Sequence, residues 1–258
     1  MSTGITLSRY QRIYIEGQDM SGYTREIGPL TWTYPEIDQV SKLDAVIGTL
    51  LDTPDINVGT LNGIFDNTVT SGIHTALSTA GVLRDVLIAQ GIQAAPVAGD
   101  PVFMFPQSHA GYLPAPSGGD LALTVKFAKT SPAEFMLYDQ PWGVLLHANE
   151  AATAANTAVG IDDNGASSAK GGWLMYHNLS VVGEGDVTIS IDEASTNTNP
   201  NFAALSGATS GAIAHTAVPC SGIVQLGNTA AVKRYLRWQI ALSGITSCNF
   251  VLAFVRGR

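Results

Sequence analysis

The sequence predicts a mainly β protein, built of β-barrel or β-sandwich domains with one or two short helices. Three observations point there: short segments alternating apolar and polar residues, clusters of Gly, Pro, Asn and Asp between them, and few stretches with helical periodicity.

The opening strand is read at Arg12–Glu16, where Ile13, Tyr14 and Ile15 sit between charged residues ahead of the turn-prone Gly17-Gln18-Asp19. Val86–Ala89 and Val102–Phe105 continue the pattern. In Leu121–Phe127, positions Leu121, Leu123, Val125 and Phe127 point inward and Ala122, Thr124 and Lys126 outward, a strand with one buried face. Trp173–Val182 and Val187–Asp192 flank Glu184-Gly185-Asp186 and read as a hairpin. Tyr235–Leu242 and Asn249–Val255 flank Ser243–Ser247 and read as a second, with Phe250, Leu252 and Phe254 on one face.

One helix is expected over Thr68–Ala80, capped by Asp66 or Asn67, striped by Val69, Ile73, Ala76, Leu77 and Ala80, and ended by Gly81. A second is expected over Ile37–Leu51, with Val40, Leu43, Ile47, Leu50 and Leu51 on one side and Gly48 against it. Gly111–Gly119 holds three glycines and two prolines and reads as unable to sustain a ladder. The chain therefore divides into an N-terminal β domain with a flanking helix (1–112), a linker (113–119) and a C-terminal β domain (120–258).

A chain of 258 residues can bury a substantial core without disulfides or metals. Charged residues make up 13% of it, against about 25% in typical soluble proteins, so the surface is neutral and hydroxyl-rich and suits stacking against further copies. The net charge of −8 disfavours gripping a phosphate backbone, which takes a clustered basic stripe. An acidic channel wall would instead keep DNA from sticking. The opening Met1–Ser8 lacks the basic and apolar regions of a signal peptide, and no run approaches the ~18 apolar residues of a membrane helix. Synthesis in the cytoplasm, with solubility until assembly, is the expectation.

Catalytic and metal-binding patterns do not emerge. His74, His109, His147, His177 and His215 are scattered without metal-ligand spacing, and Asp162-Asp163-Asn164-Gly165 reads as a turn because the alternate oxygen ligands of a calcium loop are missing. Cys220 and Cys248 read as two small core residues, although one disulfide between them is conceivable. There is no Gly-x-Ser-x-Gly elbow or phosphate loop, and adjacent acids such as Asp192-Glu193 point to opposite faces of a strand. A non-enzyme without cofactor or metal is expected. Trp32, Tyr34, Trp142, Trp173 and Trp238 could form a sugar-stacking platform, but packing explains them more simply. Trp32 and Tyr34, on one face of an extended segment ending at Pro35, are the candidates for an exposed contact.

Several segments resemble the major tail proteins (tail tube proteins) of long-tailed bacteriophages. Arg12–Tyr23, Gly28–Trp32, Gly59–Asn67 and Ser71–Leu77 resemble their opening domain. Leu145–Ala148, Ala154–Thr157, Asp162–Ala166, Arg234–Trp238 and Phe250–Arg256 resemble their closing β domain. The resemblance implies subunits that close into rings, trimeric with two-domain chains or hexameric with one-domain chains. Stacked rings would form a tube through which DNA passes, in a virion tail assembled in the host cytoplasm with other tail proteins. The segment from Leu30 to Asp55, carrying Trp32 and Tyr34, would be the arm reaching the next ring, and Glu16, Asp19, Asp186 and Asp192 are lumen candidates. The rival readings are a capsid decoration or other virion-surface protein and, third, a carbohydrate-binding module.

Overall fold

The computed structural model describes residues 8–39, 48–51, 54–68, 72–92, 94–117, 119–128, 138, 140–162 and 167–257. The first half contributes β1 (Gln11–Ile15), β2 (Gln18–Asp19), β3 (Thr24–Ile27), β4 (Thr31–Thr33), β5 (Glu36–Gln39), β6 (Gly48–Leu51), β7 (Asp55–Asn57), β8 (Thr60–Ile64), α1 (Ile73–Leu77), β9 (Leu83–Gln90), β10 (Pro101–Ser117) and β11 (Asp120–Ala128). The second contributes β12 (Trp142–Ala152), β13 (Ile161–Asp162), β14 (Gly172–Ala194), β15 (Ala203–Thr209), β16 (Ile213–Ala214), β17 (Cys220–Gln225) and β18 (Tyr235–Arg256). The protein is mainly β, as its sequence predicts.

Neither C-terminal hairpin forms. Trp173–Val182 and Val187–Asp192 are one strand, β14, and Tyr235–Leu242 and Asn249–Val255 are another, β18. The two pair antiparallel from Gly172 opposite Arg256 to Ala194 opposite Tyr235. The two expected turns lie across from each other in this ribbon, with Gly183 opposite Ile245 and Asp186 opposite Ser243, and they form bulges instead. Gly185 is needed there, because a Cβ on it would fall on the Ser243 carbonyl. The bulges leave one net extra residue in β14: Leu174 pairs with Phe254, and Val187 with Leu242. Without it, Leu174 and Tyr176, at even positions, and Val187, Ile189 and Ile191, at odd ones, would face opposite sides of the sheet. With it, all five pack into one core.

That core is one of two, and the ribbon separates them. Phe250, Leu252 and Phe254 pack with Leu174 and Tyr176 into the C-terminal core. The intervening Val251, Ala253 and Val255 pack with Trp173 and Met175 into a core filled mainly by the N-terminal half, including Ile13, Ile15, Val86, Ile88, Phe103 and Phe105. The unbroken apolar run Phe250–Val255 follows from burial on both faces.

Following the pairings, β17, β14, β18, β12, β10, β9 and β1 form a path whose ends meet beside the N-terminal core. Ser221 of β17 donates its hydroxyl proton to the Asp85 carboxylate of β9 at 2.8 Å, and the backbone of Gly17 abuts that of Cys220. The sheet thus curls into a barrel-like enclosure, closed by side chains and backbone packing where the ladder stops.

The expected linker is a hairpin. Residues 113–117 belong to β10, which pairs with β11 as far as Ser117 opposite Asp120, so the prolines sit in a ladder after all. Pro114 and Pro116, two apart, turn their missing N–H groups to the same side, and on that side the β9 ladder has ended at Ser108. The helix over Thr68–Ala80 shortens to Ile73–Leu77, with residues 69–71 outside the described ones. In place of the second helix, its described ends pair as strands, Glu36 opposite Leu51 through Gln39 opposite Gly48; residues 40–47 lie outside the described ones. The β-branched residue types at 37 and 49, with Gly48, favour that outcome.

Phe250→Ala is expected to destabilise the protein by about 3–5 kcal/mol, since a fully buried ring leaves a cavity, whereas Leu113→Ala on the outer face should cost under about 0.5 kcal/mol. Denaturant titration of both variants checks this, and equal losses would contradict the assignment of the core.

Candidate assembly surfaces

The expected docking aromatics lie together. β4 leaves the main sheet and pairs with β7, Trp32 opposite Ile56, whose side chain is fully buried. Trp32 is half-buried against the N-terminal core, its ring centroid is 6.3 Å from that of Tyr34, and Tyr34 is exposed. The indole Nε1 of Trp32 is buried without a hydrogen-bond partner. This two-stranded unit anchors the base of the segment from Leu30 to Asp55, and β5 with β6 forms a second small ladder beyond it.

The four acidic candidates sit in different settings. Asp19 is tied down: its Oδ1 accepts the Ser21 N–H at 2.9 Å and its Oδ2 an amide proton of Asn149 at 3.2 Å. Asp192 is clamped by Arg237, 3.0 Å away and itself nearly buried, and accepts a further hydrogen bond from Gln239 at 2.8 Å. Arg237 in turn lies over the Phe202 ring and donates to Asn199, so this carboxylate holds the Ser195–Phe202 loop. Only Asp186 stands exposed, beside the equally exposed Glu184.

Glu16 belongs to the seam that closes the barrel. Glu16 and Gly17 both have positive φ, 52° and 76°, the conformation of a tight two-residue hairpin turn between Ile15 and Gln18. A left-handed glutamate costs about 1 kcal/mol and is held by its contacts. Its Oε1 accepts the Asp85 N–H at 2.8 Å, and its own N–H donates to the Asp85 carbonyl at 3.3 Å. The Gly17 N–H donates to Nδ1 of His177 at 3.1 Å. Burial pushes the His177 imidazole down to about 3, so it is neutral, with its buried Nε2 left unpartnered. Burial also pushes the Asp85 carboxyl up to about 6, with the Ser221 hydrogen bond opposing and the Glu16 charge adding. Sequence reasoning missed this seam because Glu16, Asp85, His177 and Ser221 are far apart in the chain.

The two cysteines lie on opposite sides of β14, Cys220 opposite Asn178 on β17 and Cys248 opposite Val181 on β18, and both thiols are free. Among the described residues no group of three His, Cys, Asp or Glu is placed to hold a metal ion, and no helix is long and apolar enough to cross a membrane. Residues 163–165 of the Asp162–Gly165 turn lie outside the described ones.

No protein-family model matches the chain, and no curated protein matches it. Among solved structures it is similar to the Dit protein (gp 19.1) of SPP1, described as a paradigm of the hub adsorption apparatus in phages infecting Gram-positive bacteria. The likeness covers 95% of this chain and 98% of that one, at 14% sequence identity and a TM-score of 0.31. A likeness of that size assigns no function.

The seam predicts a pH dependence. The folded value of Asp85, about 6, lies above the ordinary 3.8, so its contribution is fully present below pH ~4 and is lost as pH rises through about 6. The loss is on the order of 2 kcal/mol after allowing for partial exposure. Asp85→Asn should flatten this part of the profile, so that the variant gains on the wild type between pH ~4 and pH ~7 in thermal melts; parallel profiles would contradict it.

Proposed function

We propose that the chain is a non-catalytic structural subunit of a bacteriophage tail, assembling as rings that stack into a DNA-conducting tube. The observation that carries this reading is the state of the sheet's edges. At one end β3 presents the exposed charges Arg25 and Glu26, and the outer half of β10 presents prolines, both of which discourage further strand pairing. At the other end β15 carries no charge and no proline, interrupted only by the bulge at Gly207, whose φ is 82°. One guarded and one unguarded end suit a subunit that adds neighbours in a defined direction.

Weak surface charge supports the same reading, because large contacts between copies then desolvate few ions. The net charge of −8 suits a wall past which DNA slides without adhering. The Trp32–Tyr34 pair, amphipathic and partly exposed on its own two-stranded unit, suits a contact to the next ring.

Electron microscopy of the purified protein, alone and with tail-assembly partners, is expected to show rings or tubes; monomers at high concentration, or caps on capsids, would contradict the proposal. Trp32→Ala with Tyr34→Ala should leave rings and thermal stability near wild type while shortening or abolishing tubes. Tubes of normal length in that double variant would remove the pair from ring stacking.

A further inference from the structure

Where the ladder stops between β1 and β17, the barrel is shut by individual polar contacts, and two carboxylates sit among them. Fixed hydrogen bonds bring the two together. The Oε1 of Glu16 accepts the Asp85 N–H at 2.8 Å, and the Glu16 N–H donates to the Asp85 carbonyl at 3.3 Å, so Glu16 grips the backbone of the residue whose side-chain charge it opposes. Glu16 cannot swing its carboxylate away without giving up the first of these bonds. Across the gap, the Oδ2 of Asp85 accepts the Ser221 hydroxyl at 2.8 Å, and the Gly17 N–H donates to Nδ1 of His177 at 3.1 Å. The turn that carries Glu16 and Gly17 holds both at positive φ, a conformation that a glutamate leaves at a gain once its contacts weaken.

The groups gathered around Asp85 decide how it responds to a proton. Burial raises its carboxyl most; the Ser221 hydroxyl of β17 opposes this, and the Glu16 charge from the β1–β2 turn adds to it. β17 also supplies Cys220, whose thiol burial pushes up and so keeps protonated. β14 supplies Tyr176, its phenol pushed up by burial and then by Cys220 and Asp85, and His177, which burial pushes down to about 3 and so leaves neutral. β10 sets Pro106 opposite Asp85. Arg84, the preceding residue of β9, points to the other face of the sheet and donates to the Thr79 carbonyl at 3.1 Å. A proton on Asp85 therefore removes a desolvated charge and its repulsion with Glu16 in one step.

We infer that the Glu16–Asp85–Ser221 seam is a proton-operated latch, shut when Asp85 is protonated and loosened when it ionises, so that the β1–β2 turn lifts from β17 while both cores stay folded. The backbone of Gly17 lies against that of Cys220, so lifting the turn uncovers the start of β17, a strand edge that the shut form hides. The folded value of Asp85, about 6, lies above the ordinary 3.8. The latch is accordingly tightest below pH ~4, loosens as pH rises to about 6, and changes little beyond that. It stands independently of the tail-subunit reading.

Hydrogen exchange of the full chain between pH ~4 and pH ~7, read by mass spectrometry with fragmentation to single residues, tests the latch once each rate is divided by its intrinsic rate at the same pH. The amides of Glu16, Gly17 and Asp85 report on the seam, and those of Val251, Ala253 and Val255 on the ribbon shared by the two cores. Seam amides are expected to be at least about tenfold less protected than ribbon amides at every pH, because they open without the cores. Their protection should fall at least about tenfold from pH ~4 to pH ~7. Asp85→Asn should hold the seam at its low-pH protection throughout. Glu16→Gln, which keeps the acceptor for the Asp85 N–H, should reduce the fall. Equal protection of seam and ribbon would mean that the seam opens only with the whole chain, and the latch would be overturned even if Asp85 governs global stability. A wild-type seam whose protection is flat with pH, or a fall that persists unchanged in Asp85→Asn, would overturn it as well.

Discussion

The burial of one antiparallel ribbon on both of its faces governs this structure. Around Trp173–Tyr176 and Phe250–Val255, successive residues of β14 and β18 enter two different cores, so neither core is complete without the ribbon. Fully burying each large apolar side chain contributes about 1.5–3 kcal/mol, and the ribbon supplies such side chains to both sides. The halves of the chain are thereby coupled through shared backbone, with no need for a conventional interface between them. The bulges near Gly185 serve the same end, since the extra residue in β14 keeps its apolar positions on the correct face as it leaves the barrel.

From that constraint follows where the molecule is closed and where it is open. The barrel-like path ends at β1 and β17, and there the seam of Glu16, Gly17, Asp85, His177 and Ser221 replaces ladder hydrogen bonds. A seam built of buried polar groups is sensitive to charge, which is why a carboxyl pushed up to about 6 sits in it and why its neighbouring imidazole stays neutral. The outer strands face solvent with unequal protection, charged or proline-bearing at one end and uncharged at the other. Directional assembly is the use we propose for such asymmetry.

Much of this is legible in the sequence, at particular residues. The Ile-Tyr-Ile core of β1 and the alternation Leu123, Val125, Phe127 in β11 predict burial correctly, although Leu121, at the mouth of the hairpin, remains 38% exposed. Trp32 and Tyr34 are expected on one face, and their rings do meet. The two C-terminal hairpins mislead because Gly and Asp give the same local signal in a bulge as in a turn, and only the opposing strand decides between them. The apolar run from Phe250 to Val255 is the available clue to burial on two faces. Prolines at 114 and 116 suggest a linker because their tolerance at an open edge depends on a neighbour strand that stops short. The seam is illegible, since its members are joined only by the curl of the sheet.

If one ribbon completes both cores, the chain unfolds as one unit, although its length would allow two independent domains. Differential scanning calorimetry of the isolated protein at a concentration too low for assembly measures this directly. A single transition with calorimetric and van't Hoff enthalpies in agreement is expected; two separable transitions, or a van't Hoff enthalpy near half the calorimetric value, would show that the halves fold independently and that the ribbon does not couple them.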